Sequence, residues 1–179
     1  MNLPNKLTIL RVCMIPFFVF FALYDFGSNI GNYIALAIFV VASITDWLDG
    51  YIARRDNLVT NFGKFMDPLA DKLLVCAALV CLIQTNRLHS VVVIIIISRE
   101  FIISGFRLIA ADNGIVIAAS YWGKFKTVSQ MIMIILLIGN FGGFFIILEY
   151  IFVILALILT IVSLVDYLVK NKKVLNMQN

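Results

Sequence analysis

The sequence predicts an all-α polytopic membrane protein: six transmembrane helices with a short N-terminal amphipathic segment. Three observations predict it. Hydrophobic residues make up 63% of the 179 positions and the mean hydropathy is +1.04, far above the roughly 45–50% apolar share of soluble domains. The apolar residues gather into six runs that approach the roughly 20 residues a spanning helix needs. Cations collect in alternate loops, as they do when a chain crosses a bilayer repeatedly. Six helices leave little chain for anything else, so residues 1–179 are expected to form a single membrane domain.

The first run, Val12 to Phe26, follows Lys6 and Arg11. It ends in A-L-Y-D-F-G-S, a poor small-x-small cleavage site, and so reads as a retained helix. Pro16 is expected to kink it, which membrane helices tolerate. The second run, Tyr33 to Ala53, ends among charged residues, and the third, Pro68 to Gln84, has Pro68 in its first turn, where the missing N–H costs least. The fourth, Ser90 to Ala111, carries Arg99 inside it; the fifth and sixth are Thr127 to Ile138 and Phe144 to Val169. Gly139 and Gly143 between these two read as a tight turn rather than a helix-pairing seam.

Charge orients the bundle. Arg54, Arg55, Lys64 and Lys72 follow the second run, Arg107, Lys124 and Lys126 follow the fourth, and the termini add Lys6, Arg11, Lys170, Lys172 and Lys173. The other side has only Arg87. Both termini and the loops between helices two and three and helices four and five are therefore expected in the cytoplasm, in a cell (inner or plasma) membrane. The net charge of +4 reflects this topology and an anionic lipid surface, not nucleic acid. Cys13, Cys76 and Cys81 lie in apolar runs without ligand spacing, and His89 is the single histidine. A histidine-based zinc site or a catalytic triad is thereby disfavoured.

Against this apolar background stand Asp46, Asp49, Asp67 and Asp71, in D-W-L-D-G-Y-I-A-R and G-K-F-M-D-P-L-A-D. A carboxylate at bilayer depth costs about 2.5–3.5 kcal/mol on insertion scales. Bound divalent cations held by oxygen ligands would compensate such a cluster. Asp46, Asp49, Gly50 and Ala53 share one helix face, and Gly63, Asp67 and Asp71 repeat every four residues. Two carboxylate stripes on consecutive antiparallel helices are expected to face each other. Such an arrangement suits two Mg²⁺ ions, about 3.5–4 Å apart, clamping a polyphosphate, with Mn²⁺ a possible substitute. Gly50 and Ala53 leave room for a ligand, and Arg54 can reach a phosphate with a forked pair of hydrogen bonds.

These residues resemble the signature of the CDP-alcohol phosphotransferase family, D-x₂-D-G-x₂-A-R-x₈-G-x₃-D-x₃-D. Every spacing is intact in Asp46, Asp49, Gly50, Ala53, Arg54, Gly63, Asp67 and Asp71. The resemblance implies metal ligation by Asp46, Asp49, Asp67 and Asp71, with Asp71 also the general base. It implies nucleotide contacts from Gly50, Ala53, Arg54 and Gly63, and a homodimer. The N-terminal P-N-x-L-T-x-x-R pattern, Pro4, Asn5, Leu7, Thr8 and Arg11, resembles that of bacterial phosphatidylglycerophosphate synthases within the family. It places Asn5 and Thr8 near the nucleotide, although a surface amphipathic segment explains these residues almost equally well.

The fourth helix and its loop carry Arg99, Arg107, Lys124 and Lys126. Arg99 and Arg107, eight apart, share a helix face, and together the four cations are expected to bind a phosphate on the acceptor. Glu100, adjacent to Arg99, points elsewhere on a helix and is a doubtful partner for it. S-R-E-F, S-G-x-R and A-A-S-x-x-G-K-x-K-T also resemble that branch, which implies CDP-diacylglycerol as donor and sn-glycerol 3-phosphate as acceptor. Inositol phosphate, serine and phosphatidylglycerol are the other acceptors weighed. A cation-coupled transporter is the reading from a different class, disfavoured because no inverted repeat is visible.

Overall fold

The computed structural model describes residues 3–24, 29–55, 61–112, 114, 117 and 120–172, without side chains at 3–5, 47–55, 61–65, 67, 68 and 112. These residues form six α-helices in chain order: α1 (Leu3–Leu23), α2 (Ile30–Arg55), α3 (Asn61–Gln84), α4 (Ser90–Asp112), α5 (Tyr121–Gly139) and α6 (Phe145–Lys170). Each expected run is matched by one helix. Among the described residues, three helices are long and apolar enough to cross a membrane, at Lys6–Leu23, Tyr121–Gly139 and Phe145–Lys170. The apolar stretch Ile30–Asp46 of α2 is shorter, and α4 carries Arg99, Glu100 and Arg107 within its apolar run.

The helices depart from expectation at two starts. α1 is continuous from Leu3 through Pro16, so the amphipathic segment expected before it is the first part of the same helix. α3 begins at Asn61, which puts position 68 in its interior rather than its first turn. A proline there removes one ladder hydrogen bond, a loss that buried helices tolerate when neighbours satisfy the freed carbonyl.

Contacts divide the chain into two compact units, Met1–Leu88 with Leu137–Asn140 and His89–Leu136 with Phe141–Asn179. In the first unit α1 packs along both α2 and α3, which touch each other over a much shorter stretch. The buried faces explain this. α2 presents Gly31, Ala35, Phe39 and Ala42, and α3 presents Ala70, Leu74, Ala78 and Leu82, all at helical spacing and all buried. Small residues allow backbones to approach, and Phe18 of α1 fills the remaining space beside Phe39 with ring centres 6.0 Å apart.

In the second unit α4 packs on α6. The buried face of α4 runs Val93, Ile96, Arg99 and Ile103, and that of α6 runs Ala156, Thr160, Ser163 and Tyr167. The α5–α6 turn is tight: Asn140, Gly142 and Gly143 have φ of 47°, 69° and 55°. That left-handed backbone favours glycine and tolerates asparagine.

Candidate active site

The aspartate segment begins on the packed face of α2. Asp46 continues the stripe of Ala35, Phe39 and Ala42 at helical spacing, so it arrives at the α1–α2 contact. There Arg11 Nη1 donates to Asp46 Oδ1 at 2.5 Å; the Arg11 side chain has no exposed surface and that of Asp46 is 35% exposed. Thr8, one turn before Arg11, is also fully buried. Thr8 and Arg11 therefore belong to the interior of the first unit and not to a surface segment, because α1 lies between α2 and α3. Asp71 follows the buried Ala70 on α3 and is exposed.

Asp49, Gly50, Ala53 and Arg54 fall within α2, Gly63 and Asp67 within α3, and Asn5 within α1; their side chains lie outside the described residues. Among the described residues no three candidate metal ligands converge. The donor chemistry fits a hard divalent cation nonetheless: the two described carboxylates are oxygen donors with accessible surface, and Arg11 fixes the first by one oxygen. Whether the two carboxylate stripes face each other falls on side chains outside the described residues; α2 and α3 do touch directly over a short stretch, and α1 packs along both.

The second unit assembles a cationic cluster. Arg99, only 8% exposed, donates from Nε to Ser163 Oγ at 3.1 Å and from Nη1 to Glu100 Oε1 at 3.1 Å. Ser163 in turn donates to the Thr160 carbonyl at 3.0 Å, so its lone pairs face the guanidinium. Lys126, 1% exposed, forms an ion pair with the same Glu100 Oε1. Gly123 lies against this cluster: a Cβ there would stand 3.4 Å from Arg99 Nη2, in van der Waals contact.

Glu100 is thus the partner of Arg99, contrary to the helical-wheel expectation. Adjacent helix positions diverge by about 100°, yet two long side chains can curve back to meet. Of the four expected acceptor cations, Arg99 and Lys126 converge. Arg107 is exposed and sets its guanidinium carbon 5.9 Å from the centre of the Tyr167 ring. Lys124 is also exposed and lies over Tyr121 instead, 5.3 Å from its ring centre. Sequence reasoning missed Ser163 and Tyr167, although Thr160, Ser163 and Tyr167 form a polar line at helical spacing in a predominantly apolar helix. Asp166 pairs with Lys170 at 2.7 Å, one turn away.

Comparison with known proteins bears on both clusters. The family model for CDP-alcohol phosphatidyltransferase matches residues 1–162. The chain is 46% identical over 193 aligned positions to the CDP-diacylglycerol–glycerol-3-phosphate 3-phosphatidyltransferase of Bacillus subtilis, covering 99% of both chains. It is 43% identical to the protein of that name from Haemophilus influenzae (93% of this chain, 91% of the relative) and 39% identical to that of Pseudomonas fluorescens (94% and 89%). The match runs through α1 to α5 and into α6, including the aspartate segment and Arg99, Glu100 and Lys126 but stopping before Ser163, and on that ground the chain belongs to the CDP-alcohol phosphatidyltransferase family.

Proposed function

We propose that this protein transfers the phosphatidyl group of CDP-diacylglycerol to a hydroxyl of sn-glycerol 3-phosphate, giving phosphatidylglycerophosphate and CMP. One observation carries the choice of acceptor: a guanidinium and an ammonium, Arg99 and Lys126, are buried together around one carboxylate in a chain with an intact aspartate signature. Forked guanidinium donors and an adjacent ammonium recognise phosphate oxygens well. The names of the relatives from Bacillus and Haemophilus agree with that acceptor.

In this reading Asp46, Asp49, Asp67 and Asp71 hold two Mg²⁺ ions, or Mn²⁺ in their place. Bound there, the metals neutralise charge on the pyrophosphate. Arg11 fixes Asp46 so that its carboxylate need not reorganise when the nucleotide arrives. Asn5, Gly50, Ala53, Arg54 and Gly63 contact the cytidine and pyrophosphate, while Thr8, buried in the first unit, supports that wall from behind. Asp71, exposed on α3, takes the proton of the acceptor hydroxyl as its oxygen bonds to the diacylglycerol-bearing phosphorus and CMP leaves. An apolar groove of about 710 Å³ between α1 and α3, lined by Val12, Ile15, Pro16, Leu73, Cys76 and Ala77 among others, supports a substrate with acyl chains. Arg99 and Lys126 hold the acceptor phosphate, with Arg107 beside them; Lys124, exposed over Tyr121, lies at the margin of that site and adds to its positive charge without a direct bond.

The same reading makes the chain one domain with six spans, both termini and the site cytoplasmic, in the cell membrane as a homodimer. The six helices run 19 to 26 residues; at 1.5 Å per residue even the shortest extends about 28 Å, close to the hydrocarbon thickness. The test is CMP release by the purified protein with CDP-diacylglycerol and Mg²⁺, offering glycerol 3-phosphate, inositol phosphate, serine or phosphatidylglycerol separately. Turnover with glycerol 3-phosphate alone supports the proposal. Turnover with another acceptor keeps the aspartate chemistry and removes the acceptor assignment, and no CMP with any acceptor removes both.

A further inference from the structure

Tyr167 is a large polar residue buried at the C-terminal end of the polar line on α6. It is 3% exposed, and Phe106 meets its ring edge-on with centres 6.3 Å apart at 85°. Arg107 covers the ring face at 5.9 Å. The phenolic oxygen is itself buried and makes no hydrogen bond among the described residues. Burying a hydroxyl without a partner is unfavourable, and buried tyrosines usually satisfy theirs. Phenylalanine would fill the same space without that penalty, so the oxygen calls for a ligand.

Its surroundings specify the ligand's charge. Ser163 stands one turn before Tyr167 on the same face of α6 and accepts from Arg99 Nε at 3.1 Å. Helix side chains lean toward the N-terminus, which carries the Tyr167 ring over the Ser163 turn and toward Arg99. Arg99 has both Arg107 and Tyr167 within electrostatic reach. A phenol donor is thereby set beside two guanidinium groups, a combination that suits an anion with several oxygens.

We propose that the Tyr167 hydroxyl donates a hydrogen bond to the phosphate of the acceptor, beside Arg99 and Arg107. This inference rests on reading the α4 and α5 cations as the acceptor site.

The test compares the wild-type protein with Tyr167→Phe in CMP release at saturating CDP-diacylglycerol and Mg²⁺, with inorganic phosphate as a competitor of glycerol 3-phosphate. A hydrogen bond to a charged group is worth on the order of ten- to a hundredfold in affinity. The KM for glycerol 3-phosphate is expected to rise by about that factor, and the inhibition constant of inorganic phosphate to rise with it. The KM for CDP-diacylglycerol stays put and the thermal midpoint holds or rises, because the hydroxyl has no partner to lose among the described residues and its removal lifts a burial penalty. An unchanged acceptor KM overturns the proposal. So does a raised KM with undiminished phosphate inhibition, which would place the hydroxyl on another part of the acceptor. Loss of folding in Tyr167→Phe overturns it as well, by giving the hydroxyl a structural partner. Wild-type protein that releases no CMP with glycerol 3-phosphate is a separate result, and it removes the acceptor reading itself.

Discussion

Arg11 of α1 holds Asp46 of α2 from a position with no solvent-exposed side-chain surface, through Nη1 and Oδ1. The family motif's first aspartate is therefore also a packing residue. Asp46→Asn should lower stability as well as activity, because it removes a charge partner of a buried guanidinium. Breaking a fully buried pair costs about 3–5 kcal/mol; the partial exposure of Asp46 reduces the expectation to about 1–3 kcal/mol. Asp71→Asn, on an exposed face of α3, should abolish turnover and leave the fold intact. Thermal unfolding of the two variants in detergent checks the contrast, and equal midpoints would count against it.

Arg11→Lys should weaken metal binding. Lysine keeps the charge but loses the forked geometry that orients a carboxylate, and partners that orient metal ligands are typically worth 10–100-fold in affinity. The expected result is a rise of at least tenfold in the Mg²⁺ concentration for half-maximal CMP release. Mn²⁺ titration of the substrate-free protein, followed by electron paramagnetic resonance, should show the same weakening. Wild-type Mn²⁺ affinity in the variant would confine Arg11 to packing.

Much of this architecture was legible beforehand, for reasons that also explain the remainder. The apolar runs marked six helices because a membrane leaves few other ways to satisfy a backbone, and the spacing of Asp46, Asp49, Asp67 and Asp71 marked the acidic segment. Periodicity says which residues share a face, but not which helix that face meets. The insertion of α1 between α2 and α3, and with it the burial of Thr8 and Arg11, was therefore not legible. The Arg99–Glu100 pair escaped for a related reason: a helical wheel places Cβ atoms, while ion pairs form several bonds further out. Ser163 and Tyr167 left a signal in the polar line on α6 that apolar counting overlooked.

Glu100 should prove structural first and functional through the cations it holds. Glu100→Ala leaves Arg99 and Lys126 close together without the carboxylate they share, and should cost about 2–4 kcal/mol. Adding Lys126→Met to that variant removes one of the repelling charges and should restore part of the stability without restoring acceptor binding. A double-mutant cycle on unfolding free energy tests this. Strict additivity would mean that the two residues do not interact.

Lys124 and Lys126 offer the sharpest separation between charge that orients the chain and charge that binds a ligand. Both belong to the same basic stretch, and sequence alone treats them alike. Lys126 is 1% exposed and pairs with Glu100, while Lys124 is exposed and lies over Tyr121. A charge-assisted hydrogen bond to phosphate is worth about 1.5–3 kcal/mol, so Lys126→Met should lower kcat/KM for glycerol 3-phosphate by about 10–100-fold. Lys124→Met loses a cation–π contact of about 0.5–1 kcal/mol at an exposed site and should change the same ratio by less than about fivefold. Initial rates of CMP release for the two variants decide the matter. A large loss at Lys124 with little at Lys126 would mean that the phosphate sits at the exposed end of the stretch, away from Arg99 and Glu100.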